Sequence, residues 1–189
     1  LILTIITIIL PVYLSSKNSQ KERFSFDGGF IAGAVYFSLI GAGFIFVEIG
    51  LLQKLSLFLS HPTYSLSVLL FSIILSTGIG SFLSEKLPLT TKTWRYPVPL
   101  FTAGIILLEN FIIKVLAPFI FQTTLPVKIA FCLLLIFPVG MMLGLFFPMG
   151  MRFAKKHYSY ATPWFWGLNG VFGVLCSAVA VFISVYFAI

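Results

Sequence analysis

Two glutamates, Glu48 and Glu109, lie inside long apolar stretches of this sequence, where carboxylates are rare. The chain has five acidic residues in 189, and Glu48 sits within FVEIGLLQKL, residues 46–55. An ionised carboxylate costs about 3 kcal/mol in the middle of a membrane helix, so it pairs with a cation or stays protonated. Three roles are open to Glu48: a buried structural ion pair, a transport or proton-relay group, or a hydrated group at the membrane surface.

Lys114 is the cation that we expect at the depth of Glu48. A helix rises about 27 Å from Phe30 to Glu48, and about 26 Å from Pro97 to Lys114 in the same predicted direction. Glu109 and Asn110 lie near the middle of their own apolar stretch. Asn169 lies in the last stretch, six residues after Pro163. The polar residues predicted inside the bundle, on a possible transport path, are Glu48, Glu109, Asn110, Lys114 and Asn169.

Small residues recur every three or four positions along three of the apolar stretches. This spacing places them on one face of a helix, where they let a neighbouring helix approach closely. The predicted helix-packing residues are Ala34, Ser38 and Gly41 on the face of Glu48, then Ser72, Ser76 and Gly80, and then Gly173 and Ser177. Because consecutive helices joined by a short turn usually pack together, we expect the first group to contact the second.

Catalytic and metal sites are not predicted in this chain. Its two histidines, His61 and His157, fall in connections on opposite sides of the predicted membrane, so they cannot form a metal site or a nucleophile–base pair together. No Gly-rich phosphate loop follows a strand, because no strand is predicted. We therefore expect no cofactor and no enzyme activity within these residues.

Composition places the chain among integral membrane proteins. Hydrophobic residues make up 59%, charged residues 9%, and the mean hydropathy is +1.09, whereas soluble domains are about 25% charged. The net charge of +7 is spread over short connections rather than gathered in one patch. That distribution indicates membrane topology and argues against nucleic acid as a partner.

The apolar stretches predict an all-α, polytopic bundle with five full spans. A β-barrel would need short alternating segments, and these runs are long and continuously apolar. Residues 1–14 are predicted to be the truncated end of a hydrophobic helix, residues 15–28 a basic cytoplasmic linker, and residues 29–189 the transmembrane domain. The predicted spans are Gly29–Leu52, Tyr64–Leu83, Pro97–Phe121, Val127–Gly150 and Pro163–Ala188.

Basic residues predict the orientation of the bundle. Nine of the twelve Lys and Arg residues fall in the first, third and fifth connections, within 15–28, 85–96 and 152–162. The positive-inside rule places these connections in the cytoplasm and the C-terminus outside.

Several segments resemble the membrane region of bacterial fused proteins, which join helices like those of the major facilitator superfamily to a spermidine-synthase-like domain. The likeness is carried by VEIGLLQK, HPTYS and GIGS, and then by FPVGMMLGLFFPMGMR and PWFWGLNGVFG. It covers roughly Gly29 to the C-terminus. Gly80, Glu85 and Lys86 match part of the loop motif that follows the second helix of a facilitator half.

This resemblance implies a multi-pass protein of the bacterial inner membrane whose partners are lipid, a synthase-like domain and a second helical block of the same polypeptide. Two functions follow as hypotheses. The first is a non-catalytic module that anchors or regulates the synthase-like domain. The alternative is part of a transporter for a polyamine-like cation or a related metabolite. Because two interior carboxylates are few for a polycation, we rank the anchor first.

Overall fold

The computed structural model describes residues 27–59, 61–87 and 96–187, and five long α-helices account for most of them. The helices are α1, Gly28–Leu59; α2, Pro62–Lys86; α3, Pro97–Ile120; α4, Leu125–His157; and α5, Thr162–Phe187. A single 3₁₀ turn, Ser159–Ala161, joins α4 to α5. The described ranges contain no strand. Residues 1–14, and all but the last two residues of the predicted linker 15–28, lie outside these ranges.

All five helices are long and apolar enough to cross a membrane, which confirms the predicted all-α bundle of five spans. Large apolar side chains are exposed along them; Leu39 is 66% exposed, Leu100 76% and Val185 78%. A soluble monomer rarely exposes apolar patches of this extent. The natural cover for this surface is lipid.

Helix starts follow from local chemistry. Asp27 precedes α1, and its Oδ1 accepts a hydrogen bond from the Phe30 backbone N–H at 2.9 Å, so one of the unpaired donors of the first turn is capped. Prolines occupy the first turn of α2, α3 and α4, where a missing N–H costs no helical hydrogen bond.

Two helices extend well past their predicted ends. The α1 helix continues to Leu59 rather than ending at Leu52, because Leu55, Phe58 and Leu59 prolong its buried face beyond the polar residues Gln53 and Lys54. The α4 helix runs through its two internal prolines and includes a basic last turn, ending at His157 rather than Gly150.

The bundle is built from two closely packed helix pairs. The α2 and α4 helices form the most extensive contact, α1 and α5 the next, and α1 also contacts both α2 and α4, while α3 lies along α4. We call the end that carries Lys86, Arg152, Lys155 and Lys156 the basic end, and the end near Leu59 and Phe121 the distal end. Each end has its own core: Phe37 stacks on Phe165 at the first, and Phe58 on Phe121 at the second.

Small residues set the close approach within each pair. A Cβ on Gly41 would collide with the backbone of Asn169 on α5, and a Cβ on Gly80 with the backbone of Met141 on α4. Gly140 and Gly144 in turn face Ser76 and Thr77 of α2.

The predicted contact between the Gly41 face and the Ser72–Gly80 stripe is therefore wrong. Next to α2, α1 instead contributes large apolar side chains, since Leu51 and Leu55 share a core cluster with Leu69 and Ile73. The face of α1 that carries Gly41 packs against α5.

Candidate functional site

A polar cluster links α1 to α3 in the interior of the bundle. The Lys54 Nζ donates a hydrogen bond to Asn110 Oδ1, and the Asn110 amide donates to the Ile106 carbonyl one turn back at 2.9 Å. Glu109 is the residue before Asn110 on α3. The Lys54–Asn110 contact therefore joins two helices beside a buried carboxylate.

Glu109 is the most deeply placed charged group of the cluster. It is only 5% exposed and shares the inward face of α3 with Val98, Thr102 and Ile113. Its Oε1 is buried and accepts no hydrogen bond from any described residue. A buried polar atom without a partner is uncommon in native proteins and calls for an explanation.

Glu48 and Lys114 do not meet, so the predicted pair is wrong. No ion pair joins them in the described part of the chain: Glu48 is half-buried, whereas Lys114 is exposed. The inward face of α3 is fixed by Glu109 and Ile113. Lys114 follows Ile113 by one residue, about 100° around the helix, and its side chain is directed outward. Equal depth in the membrane did not place the two groups on facing surfaces.

Asn169 and two of the predicted packing glycines, Gly41 and Gly173, lie at the contact of α1 with α5. Asn169 presents its backbone to Gly41, and its side-chain Oδ1 is buried without a partner among the described residues. Gly173 lies beside Ile45 and Gly41 at ordinary contact distance. The predicted serines bond within their own helices, Ser38 to Ala34, Ser72 to Val68, Ser76 to Ser72 and Ser177 to Val174.

Two further side chains, which the sequence did not single out, join helices that are distant in the chain. The Tyr36 hydroxyl donates to the Phe146 carbonyl on α4 at 2.9 Å. Arg152 Nη2 donates to the Ser84 carbonyl on α2 at 2.5 Å. Each donor bonds to a backbone carbonyl, and a backbone acceptor leaves no signature in the sequence. The sequence alone could therefore not predict either hydrogen bond.

At the basic end, the start of α1 is tied to the α4–α5 turn. The Tyr158 hydroxyl donates to Asp27 Oδ2 at 3.1 Å, and this hydrogen bond raises the pKa of Tyr158 above its ordinary value. Tyr158 also lies directly over Gly29, where a side chain on α1 would collide with it.

Two clefts open between α1 and α4. The larger, about 560 Å³, lies at the basic end and includes Gly29, Gly33 and His157 in its walls. The smaller, about 270 Å³, lies deeper and includes Leu39, Gly43 and Leu143. Both are bounded by Tyr36 and Pro99, and neither is lined by a carboxylate.

The described residues contain no group of three or more His, Cys, Asp or Glu side chains placed to hold a metal ion. The chain matches no protein-family model, no curated protein and no solved structure. The resemblance to fused synthase-like proteins stays a prediction based on the motifs themselves.

Proposed function

We propose that this chain is a non-catalytic membrane module that anchors or regulates a spermidine-synthase-like domain in the bacterial inner membrane. The observation that carries the proposal is that three polar side chains bond to a different helix from their own. Lys54 is tied to Asn110, Tyr36 to Phe146 and Arg152 to Ser84. Each contact joins two different helices, so these three side chains support assembly of the bundle.

The clefts also favour an anchor over a polycation carrier. A site for a polyamine needs carboxylates that face the ligand, because a buried cation requires a compensating charge. Neither cleft between α1 and α4 offers one. The side chains of Ser38, Ser72 and Ser76 are engaged with their own helix backbone.

The proposed module has its basic end in the cytoplasm and its C-terminus outside, in accordance with the positive-inside rule. Cysteine labelling tests this orientation in a variant in which Cys132 and Cys176 are replaced by serine. A membrane-impermeant maleimide added to intact cells should modify cysteine at His61 and spare cysteine at Glu85, which becomes reactive after permeabilisation. The reverse pattern would contradict the orientation.

The function is tested on the polypeptide encoded by the complete reading frame. We expect a synthase-like domain in that frame, aminopropyl-transfer activity in the membrane fraction, and no uptake of labelled spermidine or putrescine by vesicles that contain the purified protein. A frame without such a domain, or uptake above that of protein-free vesicles, would overturn the anchor.

Glu109 supports the second candidate, part of a transporter for a polyamine-like cation. Its buried oxygen without a partner is the kind of intramembrane carboxylate that marks transport paths. This function predicts uptake by the wild-type protein and loss of uptake in Glu109→Gln at unchanged folded yield. Uptake that persists in Glu109→Gln would remove Glu109 from the path, with Lys114→Gln as the matched control on the exposed face of the same helix.

A further inference from the structure

The two clefts between α1 and α4 share two wall residues, and together they extend from the basic end into the bundle. They adjoin at Tyr36 and Pro99, which belong to the walls of both. We call this feature the α1–α4 groove. Its walls extend along α1 from Gly29 to Phe44, with Pro99 of α3 on one side.

The length of the α1–α4 groove matches one leaflet of a bilayer. Fifteen helical steps separate Gly29 from Phe44, which corresponds to a rise of about 22 Å. Half of the hydrocarbon core is about 15 Å thick, and the headgroup region adds about 5–7 Å on each side. The groove therefore spans the depth of one lipid molecule, from the headgroup level to the middle of the membrane.

The walls suit an acyl chain. Glycines, aliphatic side chains and aromatic rings line the groove, and the Tyr36 hydroxyl is already bonded to the Phe146 carbonyl. Gly43 lines the smaller, deeper cleft, and a Cβ on it would meet no atom within 4 Å. A ligand in the deep part would find apolar surface and no free charge.

Basic residues lie at and beside the mouth of the groove. His157 lines the mouth, and its ring stacks on that of Phe153 with 4.5 Å between the ring centroids. Lys156 follows Phe153 by three residues and shares its side of α4, whereas Lys155 lies on the opposite side. Asp27 also lies at the basic end, and its two oxygens are engaged with the Phe30 N–H and the Tyr158 hydroxyl.

Charge at the basic end as a whole is also positive. The described charged residues there are Lys86, Arg152, Lys155 and Lys156, against Asp27 and Glu85. An apolar groove one leaflet deep, with a basic mouth, is complementary to a lipid with a negative headgroup.

We propose that the α1–α4 groove binds one anionic phospholipid, with an acyl chain along Gly33, Tyr36 and Gly43 and its phosphate beside Lys156 and His157. A zwitterionic lipid would occupy the same apolar groove, but its headgroup would be attracted less strongly by the basic residues at the mouth. Each basic group at a membrane surface favours an anionic lipid by about five-fold. The site is independent of whether a synthase-like domain accompanies the chain.

Native mass spectrometry of the whole chain in detergent tests the proposal, with phosphatidylglycerol or phosphatidylcholine added at equal concentration. We expect one phosphatidylglycerol to stay bound, in preference to phosphatidylcholine. Gly43→Leu should abolish this binding at a melting temperature no lower than that of the wild type, because its Cβ meets no atom within 4 Å and leucine favours the helix more than glycine does. The matched control is Gly104→Leu on α3, where a Cβ also meets nothing within 4 Å and the groove is not touched.

The headgroup is tested separately. Lys156→Gln should lower the preference for phosphatidylglycerol about five-fold, and Lys155→Gln on the other side of α4 should leave it unchanged. Equal effects of the two lysine variants would show a diffuse surface charge and overturn the mouth site. Lipid binding that survives Gly43→Leu would overturn the groove, and equal affinity of the wild type for both lipids would overturn the anionic ligand.

Discussion

Replacing Gly41 with alanine should separate α1 from α5. The new Cβ would lie 3.0 Å from the Asn169 carbonyl carbon and 3.2 Å from its Cα, and closer still to the carbonyl oxygen. Carbon atoms pack at about 3.5–4.0 Å. Since the obstructing atoms belong to the backbone, no side-chain rotation can relieve the contact, and the helices must move apart by several tenths of an ångström or more.

The magnitude follows from comparison with Gly43→Ala on the same helix, where the Cβ meets nothing within 4 Å. Both substitutions gain the same helix propensity, about 1 kcal/mol, so this contribution cancels in the difference. What remains is the cost of overpacking, typically about 1–3 kcal/mol. We expect Gly41→Ala to be less stable than Gly43→Ala by that amount.

The assay is reversible unfolding of the whole chain in mixed micelles with increasing SDS, followed by the fluorescence of tryptophans such as Trp164 and Trp166 on α5. Gly41→Ala should unfold at a lower SDS fraction than the wild type or Gly43→Ala. Coincident unfolding curves for the two alanine variants would refute the close contact between Gly41 and Asn169, and with it the inferred pairing of α1 with α5.

Three other predictions use the same unfolding measurement. Asn110→Leu should destabilise the chain by about 1–3 kcal/mol because it leaves the Lys54 ammonium without its acceptor, whereas Lys114→Leu on the exposed face should change stability by less than about 0.5 kcal/mol. Glu48→Gln should cost less than about 1 kcal/mol; a loss of about 3 kcal/mol or more would restore the buried pair with Lys114. Hydrogen bonding to Asp27 raises the folded-state pKa of Tyr158, so its contribution to stability is complete below pH about 10, the ordinary tyrosine value, and is lost as pH rises through the raised pKa. Wild-type stability should therefore fall more steeply above pH 10 than that of Tyr158→Phe, and parallel pH profiles would contradict this hydrogen bond.

Hydropathy was sufficient to predict the five spans, because in lipid each long apolar run must satisfy its backbone as a helix. Helix ends were harder to predict. Gln53 and Lys54 suggested the end of a span, yet α1 continues because the next residues keep a buried apolar face, and Lys54 finds Asn110 inside the bundle. Lys54 therefore does not end the helix, because it has a hydrogen-bond partner on α3.

Partner choice could be predicted only in part. Gly140 and Gly144 form a small-residue pair at four-residue spacing, a pattern that favours close helix contact, and they face Ser76 and Thr77. The sequence contains this signal, although the predicted packing residues do not include these two glycines. Nothing in the spacing states which of two glycine-rich faces pairs with which, since that depends on how all five helices share the available surfaces.

The α3 helix packs along α4 and is also attached to α1 by a polar contact. Lipid provides little hydrophobic driving force between helices, so close packing and interhelical hydrogen bonds must hold them. In the α1/α5 and α2/α4 pairs a glycine lies so close to the neighbouring backbone that a Cβ would collide with it, whereas Gly104, in the first half of α3, faces open space. The attachment of α3 to α1 instead includes the hydrogen bond from Lys54 to Asn110.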